Sequence, residues 1–161
     1  MMIRQAVLPF ALALALAHAA IAQTTGFGNA QDVKAPVEVT ADSLQVDQAT
    51  GLAVFSGNVL IGQGAMRLSA DRVEVTYASG DARRISALQA TGNVTLVSGQ
   101  DAAEAQSADY DVNSGNVVLR GDVLLTQGQN VLAGETVTVN LATGTANASG
   151  RVRSVLQPGG N

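Results

Sequence analysis

Four acidic residues recur at comparable points along this chain. Asp42, Asp71 and Asp109 each follow an alanine, and Glu135 follows Gly134. Repeated carboxylates could act as general acid–base pairs or as ligands of a hard cation such as calcium. Neither chemistry finds the rest of its machinery. Asp109 and Asp111 flank Tyr110 and would share one strand face, yet no oxygen-rich loop of the kind calcium needs lies beside them. The single histidine, His18, sits in an apolar N-terminal run, and there is no cysteine. The usual acyl-transfer constellations and most zinc sites therefore lack material. Gly62-Gln63-Gly64 and Gly128-Gln129 open no helix, so they are turn glycines and not phosphate cradles. Asn58, Asn93 and Asn116 read as turn residues. The acids read as strand starters and caps for backbone N–H groups, and the chain as a non-enzyme with no metal and no cofactor.

The cations are few. Beyond Arg4 they are Lys34, Arg67, Arg72, Arg83, Arg84, Arg120, Arg151 and Arg153. Arg83-Arg84 lies beside a turn, and Arg67 and Arg72 flank Ser69-Ala70-Asp71. These four are either solvated surface or contacts for an anionic head group near a sheet end. With 9 basic and 13 acidic residues the net charge is -4, which argues against nucleic acid as a partner.

The first residues belong to a different element. Arg4 precedes an apolar run over Ala6 to Ala17, and Ala20-Ile21-Ala22 supplies small residues at a cleavage site. This is the pattern of a secretory signal peptide over 1–22, cut before Gln23. The run is short for a membrane span of about 20 residues. Residues 23–35 show no periodicity and are expected to form a flexible leader. A single domain is expected over 36–157, and 158–161 is a short tail.

Within that domain the period is two. Val37/Val39, Leu44/Val46, Val59/Ile61, Val73/Val75/Tyr77, Val117/Leu119 and Val137/Val139 alternate with polar residues, as half-buried strands do. Asp101 to Ala108 is alanine-rich, yet its place in the series makes it a strand with Ala103 and Ala105 inward. Gly57-Asn58-Val59, Gly92-Asn93-Val94, Gly121-Asp122-Val123 and Gly150-Arg151-Val152 mark strand openings, at spacings of 35, 29 and 29 residues. Units repeating at such periods cannot bury their apolar faces alone and must stack. Two burial schemes remain open on the residues alone: two facing sheets, or a prism-like coil. Only Phe27, Phe55, Tyr77 and Tyr110 supply aromatic bulk after residue 22, so the interior is narrow or partly open.

The stretches Ala41-Asp42-Ser43-Leu44-Gln45-Val46-Asp47, Val54-Phe55-Ser56-Gly57-Asn58-Val59-Leu60-Ile61 and Met66 through Tyr77 resemble the organic-solvent-tolerance-like family of lipopolysaccharide export. The resemblance covers roughly residues 36–157. It implies an all-β, twisted antiparallel β-jelly roll of about sixteen short strands, with an apolar interior and two open ends. It further implies a periplasmic, non-enzymatic carrier that holds lipopolysaccharide by the acyl chains of lipid A. Such carriers join end to end with each other and with related domains on inner- and outer-membrane partners, as head-to-tail oligomers. The groove candidates on that basis are Val39, Val46, Phe55, Ile61, Met66, Leu68, Val75, Leu96, Tyr110, Val112, Leu119, Leu125 and Val139. The leading edge is assigned to Val37, Glu38, Val39, Thr40, Ser43, Leu44, Gln45 and Val46. The trailing edge is assigned to Val152, Arg153, Ser154, Val155 and Leu156. The competing reading is a structural or adhesion β-module with a closed core and no bound lipid.

Overall fold

The long strands of this protein turn a corner halfway along their length. The computed structural model describes residues 25–158, so the expected signal peptide and nearly all of the tail lie outside the described residues. Eleven strands follow in order: β1 (Thr25–Gly26), β2 (Glu38–Thr40), β3 (Ser43–Asp47), β4 (Leu52–Gln63), β5 (Met66–Ala78), β6 (Asp81–Ser98), β7 (Asp101–Asp111), β8 (Asn116–Gln127), β9 (Asn130–Asn140), β10 (Thr145–Ser149) and β11 (Arg153–Val155). All pairings are antiparallel, and β4 to β10 neighbour one another in chain order. At one end β2 and β3 both pair with β4. At the other, β10 and β11 both pair with β9, and β1 adds to β10. The Ala-rich segment is the strand expected, with Ala103 fully buried.

Three of the four Gly-x-Val steps do not open strands but are corners within β4, β6 and β8; the fourth, Gly150-Arg151-Val152, lies between β10 and β11. Gly57/Asn58, Gly92/Asn93 and Gly121/Asp122 have φ of 79°/45°, 82°/47° and 84°/47°, and the ladder register shifts at each pair. Two successive left-handed residues bulge one strand against its neighbour and bend it. Asn58 and Asn93 therefore lie in bulges and not in turns, while Asn116 begins β8. The strands number eleven where about sixteen were expected, because β4, β6 and β8 run unbroken through these corners and β5, β7 and β9 run unbroken opposite them.

A partner faces each bulge. Asp42 accepts the Asn58 amide at 2.8 Å, and Asp71 accepts that of Asn93 at 2.7 Å. In the third corner the roles are exchanged: Gln106 donates to Asp122 at 3.1 Å. At the fourth step, Glu135 lies 3.3 Å from the Arg151 guanidinium. The third member of the series is thus Gln106, not Asp109, which instead pairs with Arg120 and accepts from Gln89. A Cβ on Gly92 would stand 2.5 Å from Asp71 Oδ2, so the same carboxylate that ties the corner also excludes any side chain there.

The corners line up because the half-strands are equal. Five-residue ladders such as 52–56, 59–63, 116–120 and 123–127 separate corners from hairpin tips in β4 and β8. The tips alternate between two-residue turns, as at Gln63/Met66, and longer turns closed by an Asx residue. Asp47 receives the N–H groups of Ala49 at 2.8 Å and Thr50 at 3.3 Å, which hold its carboxyl below the usual range, and Asp111 receives the Asn113 N–H at 2.9 Å. One tip departs from the pattern. Between β5 and β6 the chain spends six more residues than in the other units, which is why one spacing is 35 and not 29.

The two sets of half-strands close on a single apolar cluster. Ile61, Leu68, Leu96 and Leu125 from one half-sheet meet Val73, Tyr110, Leu119 and Val139 from the other, each nearly or wholly buried.

The expected flexible leader is instead a strap. Phe27 is fully buried, and the chain from Phe27 to Val37 crosses the mouth opposite the corners. The Phe27 N–H donates to Gly144 O at 2.7 Å, Gly28 N–H to Asp101 at 2.6 Å and Gln31 N–H to Leu141 O at 2.9 Å. Val33 and Val37 pack on the core. The alternation of Val37 and Val39 extends back through Ala35 and Val33, so these residues belong to the domain.

Candidate functional site

The interior gathers most of the groove candidates. Ile61, Met66, Leu68, Val75, Leu96, Tyr110, Leu119, Leu125 and Val139 are buried in the common cluster, and Val39, Phe55 and Val112 pack against it half-buried. Val46 does not join them: it is 57% exposed. It pairs with buried Ala53 and so points toward the interior face, but it lies on the terminal strand, where no strand of the other half-sheet reaches over it. Leu44, opposite Phe55, shares its situation at 55% exposure.

Polar groups in this interior are confined to the mouth. The buried polar residues are Gln63, Ser98 and Asp101, and all three bind the strap. Gln63 donates to the carbonyls of Val33 and Ala35 at 2.8 and 2.9 Å. Ser98 accepts the Gln31 amide, and Asp101 accepts Gly28 N–H and the Gln127 amide. Tyr110 donates its hydroxyl to Gln63 Oε1. Burial pushes the Tyr110 hydroxyl up to about 12, the hydrogen bond to Gln63 opposing and the nearby Asp111 charge adding to the shift. Gln31 Oε1 is buried without a hydrogen-bond partner, a local cost in the strap.

The ends of the sheet are apolar. Of the seven large hydrophobic residues most exposed to solvent among the described residues, five lie at the ends: Leu44 and Val46 at one, Val152, Val155 and Leu156 at the other. Among the described residues, β2 and β3 pair only with β4, and β11 only with β9, so no described strand covers their outer edges. Among the described residues, β1 pairs Thr25 and Gly26 with Ala146 and Thr145 of β10.

The four head-group candidates do not form one feature. Arg67 donates to the carbonyls of Gly64 and Met66 at 2.7 Å, and Arg72 pairs with Glu74 at 2.8 Å. Arg83 and Arg84 stand apart from both, on the β5–β6 extension beside the strap. Among the described residues no group of three His, Cys, Asp or Glu side chains converges as a metal site would require. The strap was missed because its one aromatic, Phe27, stands among glycines and polar residues that carry no period.

An antiparallel sheet folded along one line of corners, with an apolar interior and two free edges, defines an open-ended β-jelly roll. The crystal structure of LptH from Pseudomonas aeruginosa, described as the LptA-homologous periplasmic component of the lipopolysaccharide transport device, shares this fold. It matches with a TM-score of 0.68 at 23% identity, over 79% of this chain and 99% of that one. Residues 38–145 match the family model described as LptA/(LptD N-terminal domain) LPS transport protein, and the chain belongs to that family. An uncharacterized protein of Rhizobium meliloti is 30% identical over 89% of this chain and 84% of its own length. The lipopolysaccharide export system protein LptA of Escherichia coli is 27% identical over 79% of this chain and 72% of its own. That of Haemophilus influenzae is 25% identical over 90% of each.

Proposed function

We propose that this protein is a periplasmic, non-enzymatic carrier that holds the acyl chains of lipopolysaccharide between its half-sheets and joins end to end with partners of the same fold. The observation that carries the reading is the continuity of the apolar interior, which ends at both sheet edges in exposed apolar side chains on strands that, among the described residues, pair on one side only. Burial of acyl chains yields about 0.8 kcal/mol per CH₂, enough for capture without any reactive group. Free edges are a liability in an isolated domain and become docking surfaces when a partner supplies the next strand. Membership of the lipopolysaccharide-transport family and the periplasmic relative support both halves of the proposal.

A second reading is a closed structural module, favoured by the strap that already covers the mouth. The two differ in a photo-crosslinking experiment in cells. A crosslinking residue at Leu68 gives lipopolysaccharide adducts if the interior takes lipid, whereas one at exposed Leu60 on the outer face does not. Adducts at neither position favour the closed module. For the docking half, Val155→Asp weakens concentration-dependent self-association and leaves the melting temperature nearly unchanged, since exposed sites shift stability by about 0.5 kcal/mol or less. Unchanged association removes β11 from the interface.

A further inference from the structure

We propose that the cleft between the strap and the β5–β6 extension binds the phosphorylated head group of an acylated glycolipid through Lys34, Arg83 and Arg84. The inference rests on the carrier reading above and specifies where this chain recognises the anionic end of its cargo.

Charge is the first argument. The cleft, about 540 Å³, is lined by three cations and no carboxylate, in a chain whose net charge is -4. Most other cations of the described residues are engaged. Arg67 is turned onto carbonyls, and Arg72, Arg120 and Arg151 are paired with Glu74, Asp109 and Glu135. Arg83 has only a loose approach to Asp81, at 3.8 Å, with its side chain 97% exposed. The guanidinium forks are therefore available for bidentate bonds to phosphate, and Lys34 of the strap lines the same cleft. The neighbouring cleft on the outer face is lined by Glu74, Asp109 and Asp111 and by no base, so it offers the same ligand no cation.

Backbone placement is the second. Strand β5 pairs Tyr77 with Ile85 and Ala78 with Asp81, so Ala82, Arg83 and Arg84 bulge out of the ladder. This bulge lies in the six-residue insertion that alone interrupts the 29-residue period. The other hairpins show that the sheet closes without it, so the insertion is not needed to complete the ladder.

The floor of the cleft is the third. Val37, Ile85 and Val112 line it, and each also packs against the main apolar cluster. A free anion has no use for such a floor. An amphiphile does: its phosphate meets the rim while its chains lie over the seam between strap and core.

The test compares the mature protein, an Arg83→Ala/Arg84→Ala double variant and Lys34→Ala. Each is titrated with bisphosphorylated lipid A and with dephosphorylated lipid A of the same acylation, at low and high salt. Arg83 and Arg84 are exposed, so unchanged melting temperatures verify folding. The expected result is about a tenfold loss of affinity for the phosphorylated lipid in the double variant, smaller at high salt, and no loss for the dephosphorylated one. Lys34→Ala shows the same selectivity with a smaller loss. Equal affinities of wild type and double variant for the phosphorylated lipid, or equal losses for both lipids, overturn the site and leave the carrier reading standing. Failure of the wild type to bind either lipid overturns the carrier reading itself. If inorganic phosphate alone displaces the lipid at micromolar concentration, the cleft is a free-anion site and the lipid assignment falls.

Discussion

Tyr110 on one half-sheet holds the strap through Gln63 on the other: its hydroxyl donates to Gln63 Oε1, and the Gln63 amide donates to Val33 and Ala35. Both residues are almost completely buried. Tyr110→Phe leaves the glutamine oxygen unpaired, a cost of about 1–3 kcal/mol. Hydrogen exchange of residues 31–37 should quicken in this variant more than that of the central ladders. Unaltered exchange in the strap would place its anchorage elsewhere.

The same tyrosine makes stability sensitive to alkali. Its folded value of about 12 lies above the ordinary 10, so the folded state keeps a proton that the unfolded chain gives up. This contribution is complete below pH 10 and is lost as the pH climbs from 10 to 12, by roughly 2–3 kcal/mol. Denaturation of the wild type over that window should show the decline, and Tyr110→Phe should lack this part of it. Parallel slopes in the two proteins would refute the assignment.

Gly92 and Gly80 separate backbone strain from crowding. Their φ angles are 82° and 79°, but a Cβ on Gly92 meets Asp71 at 2.5 Å while one on Gly80 meets nothing within 4 Å. Gly80→Ala should cost about 1 kcal/mol, the left-handed penalty alone. Gly92→Ala should cost distinctly more by urea denaturation. Equal losses would mean that the corner contact yields freely.

Phe27 anchors the strap at full burial. Phe27→Ala should lower stability by about 3–5 kcal/mol, as large core truncations do. A loss below about 1 kcal/mol, the scale of surface changes, would return residues 25–35 to the status of a loose leader.

The sequence carried the strands and the period clearly, because alternation and glycine spacing are local signals. It concealed what the glycines do. Gly57-Asn58 has the same composition in a turn as in a bulge, and only the ladder on both sides tells them apart. A finer signal was present in β7. Ala103 and Ala105 are in phase, Ala108 and Tyr110 are in the opposite phase, and the slip falls at Gln106. That slip marks a corner, and following it would have replaced Asp109 by Gln106 in the series. Phe27 was illegible for another reason: its burial depends on contacts with Gly144, more than a hundred residues away. Val46 faces inward as its alternation indicates, and only the lack of a covering strand exposes it.

The corners at Asn58, Asn93 and Asp122 fall on one line across the sheet, with half-strands of about five residues on either side outside the β5–β6 extension. Such a fold has a nearly constant cross-section along its axis, like a profile drawn through a die. A flexible apolar guest lying along that axis would gain similar burial beside each strand, so its free energy would vary little with position. No apolar position along the way would trap the chains, and none would push them; only the cleft at Arg83 and Arg84 singles out one place, for a charged head. Directionality must then come from whatever the chain meets at its two ends.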